Sequence, residues 1–397
     1  MIALADVGVS VLDCVHATPK AVSEGFPYIA IPNIQDGRIR LEGVRRISPA
    51  DLDKWTMKTT PQAGDILVTR RGRVGDTAPI PNGLRCAIGQ NLVLLRSDGK
   101  EVDQAYLKWA TRGPLWMAEV DRLRNVGAVF DSLNVRDIAR LRIPVPPLDK
   151  QRRIAEVLGA IDDLIDTNER LGLRLTEAAS AFGQRLLLEI NSGEPRSVED
   201  IATIAKGYSY KSAELVEGDG WLVGLKNVGR QGVFRPDGFK PLSARVKPAH
   251  VVENGDLVVA QTDLTQAREV IGRPVRVRRG GREGVLVASL DLAIVRPLEG
   301  VPGQFIQSVL ESIEFRDHVL GFCNGTTVLH MGARAIPSFP VVLPDADHLS
   351  RFEALEPLRD SADEAFETAE SLRRIRDELL PLLISGAVRV RPEGVAA

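Results

Sequence analysis

One pattern occurs twice in this chain, about 195 residues apart, and that duplication limits it to a tandem fold. Gly64-Asp65-Ile66-Leu67-Val68 returns as Gly255-Asp256-Leu257-Val258-Val259. Tyr28-Ile29-Ala30-Ile31-Pro32-Asn33-Ile34 returns as Trp221-Leu222-Val223-Gly224-Leu225-Lys226-Asn227-Val228. The run Gly127…Ile138…Leu141…Pro144-Val145-Pro146 returns as Gly325…Ile336…Phe339…Val342-Leu343-Pro344. Offsets drift only from 191 to 200, so the copies differ by small insertions. Each copy leads into a long helical pattern. A globular unit used twice, with a rod after each use, suits a target that also has two parts.

The rods are read from spacing. After Pro146-Pro147 the apolar residues Ile154, Leu158, Ile161, Ile165, Leu175, Ala179, Phe182 and Leu186 fall on one stripe, with Asn168 and Gly172 within it. A mean spacing of 3.5 residues predicts a coiled-coil helix rather than a surface helix. It is expected over Asp149–Glu189, roughly 60 Å at 1.5 Å per residue, ending at Asn191-Ser192-Gly193. The second stripe is Leu355, Leu358, Ala362, Ala365, Ala369, Leu372, Leu379 and Leu383, broken where Arg376 sits beside Ile375. Pro357 marks the start of this helix or kinks it. The two seams most simply pair with each other, antiparallel; the alternative is that each packs on its own domain.

Each globular unit is α+β and strand-rich. Strands are expected at Tyr28–Ile31, Asp65–Thr69, Gln90–Leu95, Trp221–Leu225, Asp256–Ala260, Val275–Arg279 and Leu290–Val295, with helices at Tyr106–Thr111 and Phe305–Phe315. The strand–helix alternation of a doubly wound nucleotide-binding sheet is missing. There is no GxxxxGK[ST] loop, no HExxH, and no GxGxxG between a strand and a helix. Val145-Pro146-Pro147-Leu148 lacks the polar residue and aromatic ring of an adenine-methyltransferase motif. His16, His250, His318, His330 and His348 show no pairing with cysteines or carboxylates at ligand spacing, and three scattered cysteines make neither a disulfide framework nor a zinc site. No catalytic or metal residues are expected. No apolar run is long enough to span a membrane and no signal peptide opens the chain, so the expected location is the cytoplasm.

The overall charge of −2 conceals a division along the chain. Residues 1–145 carry +4 and residues 196–343 carry +2, whereas residues 146–195 carry −3 and residues 344–397 carry −5. Basic units on acidic rods suit a DNA binder helped by a basic partner, since so small an excess makes few phosphate contacts alone. The candidate contacts lie in polar clusters after strands. Arg70, Arg71 and Arg73 stand among glycines after the first Gly-Asp strand, where forked donors can take phosphates or the O6/N7 edge of guanine. Gln261, Thr262, Asp263, Thr265 and Gln266, followed by Arg268, occupy the equivalent place in the second copy. A solvated turn in which Thr and Asp cap a helix is the alternative for these. Lys206, Tyr208, Tyr210 and Lys211 form a further basic and aromatic candidate.

With these residues on the page, the chain resembles the specificity subunit of a type I restriction–modification system over essentially its whole length. The resemblance rests on Ala205-Lys206-Gly207-Tyr208-Ser209-Tyr210-Lys211-Ser212 and on the run from Gly255 to Gln266. It rests also on Gly325–His330 leading to Ile336-Pro337-Ser338-Phe339-Pro340, on Pro144–Ile154, and on Leu379–Gly386. It implies target recognition domains over residues 1–145 and 194–344, helical spacers over 146–193 and 345–390, and a tail over 391–397. Each domain would read half of a split, asymmetric DNA site, and the paired helices would set the unread gap. Gln151, Ile154, Leu158, Ile161, Ile165, Leu355, Leu358, Leu372 and Leu379 would serve helix pairing or partner binding. The second rod begins Pro344-Asp345-Ala346-Asp347-His348 and has no counterpart of Gln151. Two modification subunits using S-adenosylmethionine, and restriction/translocase subunits using ATP and Mg, would be the partners in phage defence. This chain itself would bind no cofactor and catalyse nothing. A specificity subunit served by one fused methylase–nuclease, or a two-domain protein scaffold, fits many of the same residues.

Overall fold

The structure, a computed structural model, describes residues 1–127, 130–264, 267–325 and 328–390. The chain divides into two compact units: residues 1–163 together with the chain from Arg373 onward, and residues 164–372. In the first, strands Val9–Leu12, Leu92–Ser97, Ile66–Thr69 and Thr77–Pro79 form an antiparallel sheet in that spatial order. In the second, Ala202–Lys206, Leu292–Pro297, Leu257–Ala260 and Pro274–Arg276 repeat the order and the pairing sense. A further sheet repeats as well. Phe26–Ile29 pairs antiparallel with Arg45–Ile47 and parallel with Ala87–Ile88; Gly220–Val223 does the same with Lys240–Leu242 and Val285–Ala288. The expected α+β tandem is the observed one.

The residues that recur in the sequence are those that hold this frame. Gly64 and Gly255 turn with φ of 84° and 91°, a region that favours glycine. The aspartate after each closes the turn and pairs with an arginine on the neighbouring strand. Asp65 takes the Arg96 guanidinium at 2.6 Å and Asp256 takes that of Arg296 at 2.6 Å. Asn33 accepts from the Ala30 N–H and donates to the Arg40 carbonyl; Asn227 accepts from the Gly224 N–H and donates to the Arg235 carbonyl. The Pro-Asn and Lys-Asn repeats are therefore capped single turns of helix, not continuations of a strand.

The central long helix spans Leu148–Leu188, and the C-terminal part is a short helix, Ala346–Glu353, followed by Glu356–Ser385. Pro357 stands in the first turn of the latter, where proline is tolerated. The expected single helix over Phe305–Phe315 is two, Gly303–Glu311 and Ile313–Gly321. Ser312 divides them, its hydroxyl accepting from the Phe315 N–H.

The helices pair within each unit, and they also pack on the domain beside them. In the first unit Ile154, Ala155 and Leu158 share a core with Leu380, Leu383, Ile384, Trp109 and Trp116. In the second, a Cβ on Gly172 would stand 2.8 Å from the Phe366 ring, and one on Gly183 would meet Leu355 at 3.5 Å. The early central helix thus meets the late C-terminal helix and the converse, an antiparallel pairing. Every second position of the apolar stripe lies at the seam centre, and positions between fall one residue further along. Leu158, Asp162, Ile165, Gly172, Thr176, Ala179 and Gly183 define it on one helix, and Leu355, Arg359, Ala362, Phe366, Ala369, Arg376, Leu380 and Leu383 on the other. Phe182 is exposed, and Ile161, Leu358, Leu372 and Leu379 flank the centre half-buried. Arg376 does not break the stripe: it occupies the seam, and Ile375 is the exposed one.

Charges fill this seam because charges face them. In the first unit the buried Asp162 carboxylate takes Lys108 at 2.6 Å and Arg376 at 2.7 Å, with Arg38 at 3.7 Å. Burial alone would push that carboxyl up, but Lys108 and Arg376 outweigh it and hold it below the usual carboxylate range. In the second unit the domain again supplies cations, but the acids stand on the other helix. Arg276 and Arg278, from the strand edge of the domain, meet Asp360, Asp363 and Glu370 of the C-terminal helix. Arg278 is almost fully buried, with its guanidinium 4.5 Å from the Phe366 ring centre.

Candidate nucleic-acid interface

The loop after the Ile66–Thr69 strand holds two kinds of arginine. Arg70 is half-buried and donates to the Leu133 and Gln90 carbonyls, so it closes the loop onto the domain. Arg73 donates to the Ile31 and Ile34 carbonyls and lies 3.4 Å from Asp76, bracing the capped turn at Asn33. Arg71 is exposed, and its side chain makes no hydrogen bond or ion pair among the described residues. Its backbone bridges antiparallel to Ser132, which also bridges Asn125. Of the three, Arg71 alone presents a free guanidinium fork.

The second unit has a small sheet in the equivalent place, Thr262–Asp263 beside Leu329–Met331 beside Cys323–Asn324. Thr262 is buried and donates to the Asp291 carboxylate at 2.9 Å. Asp263, also buried, accepts from the Val270 and Ile271 N–H groups and pins the base of the following loop. It closes a loop here rather than capping a helix. Gln261 is half-buried, its backbone tied to Asp291 and Met331. Arg268 is exposed in a left-handed conformation (φ 54°), with its carbonyl accepting from Arg316. Thr265 and Gln266 lie outside the described residues. The structure thus brings Thr262 and Asp263 together as anchors and leaves Arg268 on the surface.

Lys206 and Lys211 are exposed and bracket Tyr208 and Tyr210. The Tyr208 hydroxyl donates to Glu214 at 2.8 Å, its ring lies 5.8 Å from that of His250, and Tyr210 packs on Leu222, Leu242 and Val287. Gln151 is fully buried: its amide oxygen accepts from the Asp103 N–H, and its amide nitrogen donates to the Glu101 and Pro146 carbonyls. It clasps the central helix to the first domain.

Spacing did not reveal some exposed residues near these loops. Val126 and Phe130 stand 81% and 67% exposed beside the Ser132 bridge. A Cβ on Gly127 would strike the Phe130 carbonyl, and one on Gly325 the Val328 carbonyl. The expectation of no histidine–cysteine–carboxylate grouping needs correction, because Asp13, Cys14 and His16 bring their ligating atoms within 4.8 Å of one another. The Cys14 thiol, however, donates to the Gly89 and Leu92 carbonyls, and burial pushes it up to about 11. A thiol so held is a poor metal ligand. No helix among the described residues is long and apolar enough to cross a membrane.

Comparison with known proteins gives one answer throughout. A family model described as the type I restriction modification DNA specificity domain matches residues 14–177. The putative type I restriction enzyme MjaX specificity subunit of Methanocaldococcus jannaschii is 32% identical, over 92% of this chain and 88% of that protein. The type I restriction enzyme MjaVIII specificity subunit of the same organism is 21% identical, over 92% and 87%. The crystal structure of a type I restriction–modification S subunit from M. genitalium matches the fold with a TM-score of 0.59 at 14% identity, over 96% of this chain and 95% of that one.

Proposed function

We propose that this chain, which belongs to the specificity-subunit family of type I restriction enzymes, reads a bipartite, asymmetric DNA site with one domain on each half. A specificity subunit acts in a complex with DNA and other subunits and is not itself the catalyst. The observation that carries the two-reader proposal is one frame used twice with unlike loops. The position of the exposed Arg71 in the first unit is that of the buried Thr262 in the second. A free guanidinium fork favours guanine or phosphate, whereas a closed polar loop presents other groups. Two different readers on like frames call for two different half-sites.

On this reading the helices set the unread gap between the half-sites. Two modification subunits would supply S-adenosylmethionine-dependent adenine methylation, and restriction subunits would supply ATP- and Mg-dependent translocation and cleavage. The fit of such groups belongs to those partners, not to this chain.

The test is to co-express the chain with a modification subunit and map adenine methylation across the host genome. One motif with two unlike halves and a fixed gap is expected; a single contiguous motif would overturn the two-reader proposal. Arg71→Ala should relax or weaken only one half of that motif, costing about 1–3 kcal/mol if the fork contacts a base. Relaxation of both halves at once would place Arg71 outside base recognition.

A further inference from the structure

Beside Lys206 and Lys211 the second domain carries a cationic edge, at Arg245 and Lys247, that neither the repeat nor the family motifs mark. After the Lys240–Leu242 strand the chain stays extended and alternates: Ala244 and Val246 pack inward against the cluster that holds Tyr208 and Tyr210, while Arg245 and Lys247 are exposed. The next turn, Pro248–His250, is tied to the Lys206 strand, with His250 Nδ1 donating to the Lys206 carbonyl at 2.9 Å. The Ser243 N–H donates to the Glu214 carbonyl, and the Glu214 carboxylate takes the Lys211 N–H, so Lys211 borders the same edge. Among the described residues, Lys206, Lys211, Arg245 and Lys247 make no ion pair and no side-chain hydrogen bond.

The charge balance is local. Residues 206–250 hold eight Lys/Arg against four Asp/Glu, whereas the whole of residues 196–343 is only +2. Of the four acids, Glu214 is engaged by Tyr208 and Asp237 by Arg235. Glu217 and Asp219 flank Gly218, which packs against Ser243, and do not pair with the four cations. A row of cations held out by alternation, with no internal partner, suits a polyanion of regular charge spacing. Duplex DNA carries one negative charge per about 1.7 Å of axis.

Resting on the DNA-reading function proposed above, we infer that Arg245 and Lys247, with Lys206 and Lys211, form a phosphate clamp that seats the second domain on the DNA backbone without reading sequence. Such contacts fix register and orientation and carry no base preference.

The test uses the full chain in complex with its modification subunit. Two labelled duplexes of equal length serve as probes, one holding the mapped methylation motif and one with that motif scrambled. Binding is titrated between about 50 and 200 mM salt for the parent chain and for Arg245→Gln/Lys247→Gln. On both duplexes, the plot of log affinity against log salt should become shallower by roughly 1.8, at about 0.9 for each phosphate that the variant no longer neutralises. The methylated motif should stay the same. Lys247→Gln alone should give half the change, and it serves as the variant if the double one folds poorly. An unchanged slope overturns the clamp. So does a weakening confined to the motif duplex, which would make these side chains base readers. Weakened assembly with the modification subunit at an unchanged DNA slope would make the edge a protein-binding surface instead. A parent complex that binds neither duplex defeats the DNA-reading function itself, a result distinct from all of these.

Discussion

Asp162→Ala should lower the stability of the first unit by about 3–5 kcal/mol, because it strands buried cations rather than merely deleting an attraction. Lys108 and Arg376 both point at this carboxylate, and burial already draws the Lys108 ammonium below its ordinary value. Arg112, close by, is pushed down to about 10 by burial, so a third poorly solvated cation stands beside the orphaned pair. A thermal or urea unfolding curve reads the effect directly. A loss below about 1 kcal/mol would mean that the cluster is as wet as a surface pair. The pH dependence has a definite sign. Asp162 is held below an unfolded carboxylate of about 3.9, so its contribution is present above that value and fades as pH falls through the folded one. Acid unfolding of Asp162→Asn should therefore be the shallower of the two.

Gln151→Ala should cost about 2–4 kcal/mol, since a buried N–H and two carbonyls lose their partner together. The clasp joins Asp103, Glu101 and Pro146 to the first turn of the central helix. A partner-contact role for Gln151 makes the opposite forecast: an unchanged melting temperature with weaker assembly on the modification subunit. Measuring both quantities on one variant separates the two. Gln151→Glu is a useful companion, because it keeps the acceptor for Asp103 but loses the donor for both carbonyls.

Why some features were legible in the sequence and others were not follows from what each residue answers to. The tandem α+β fold, the long helices and their pairing rest on apolar period and on turn residues, which are local signals. Alternate seam positions fall one residue beyond the apolar stripe because Asp162, Arg359 and Arg376 lie in the seam, and a hydrophobicity pattern skips charged positions. The buried partner of Arg376, Asp162, stands 214 residues away. Loop chemistry was readable as composition but not as direction. Arg70, Arg71 and Arg73 look alike in sequence, yet two brace carbonyls and one is free. Likewise Asp263, a plausible base contact by type, is committed to two backbone N–H groups. The alternation at Ala244–Lys247 was a visible period-two signal, hidden because no long strand continues it.

The duplicated frame poses a problem of assembly during folding. Two sheets with the same strand order, closed by interchangeable Asp–Arg pairs, offer each strand a wrong partner of nearly the right shape, and exchange of this kind is a characteristic failure of repeated domains. Neither Asp65–Arg96 nor Asp256–Arg296 can tell the copies apart. The charge clusters can, because the acids that receive each domain's cations stand on different helices. The first domain offers cations to an acid on the central helix, and the second offers arginines to acids on the C-terminal helix. A domain docked at the other's berth would find the acids on the wrong helix. The buried ion pairs then act as addresses, telling each copy of a common fold which stretch of helix is its own.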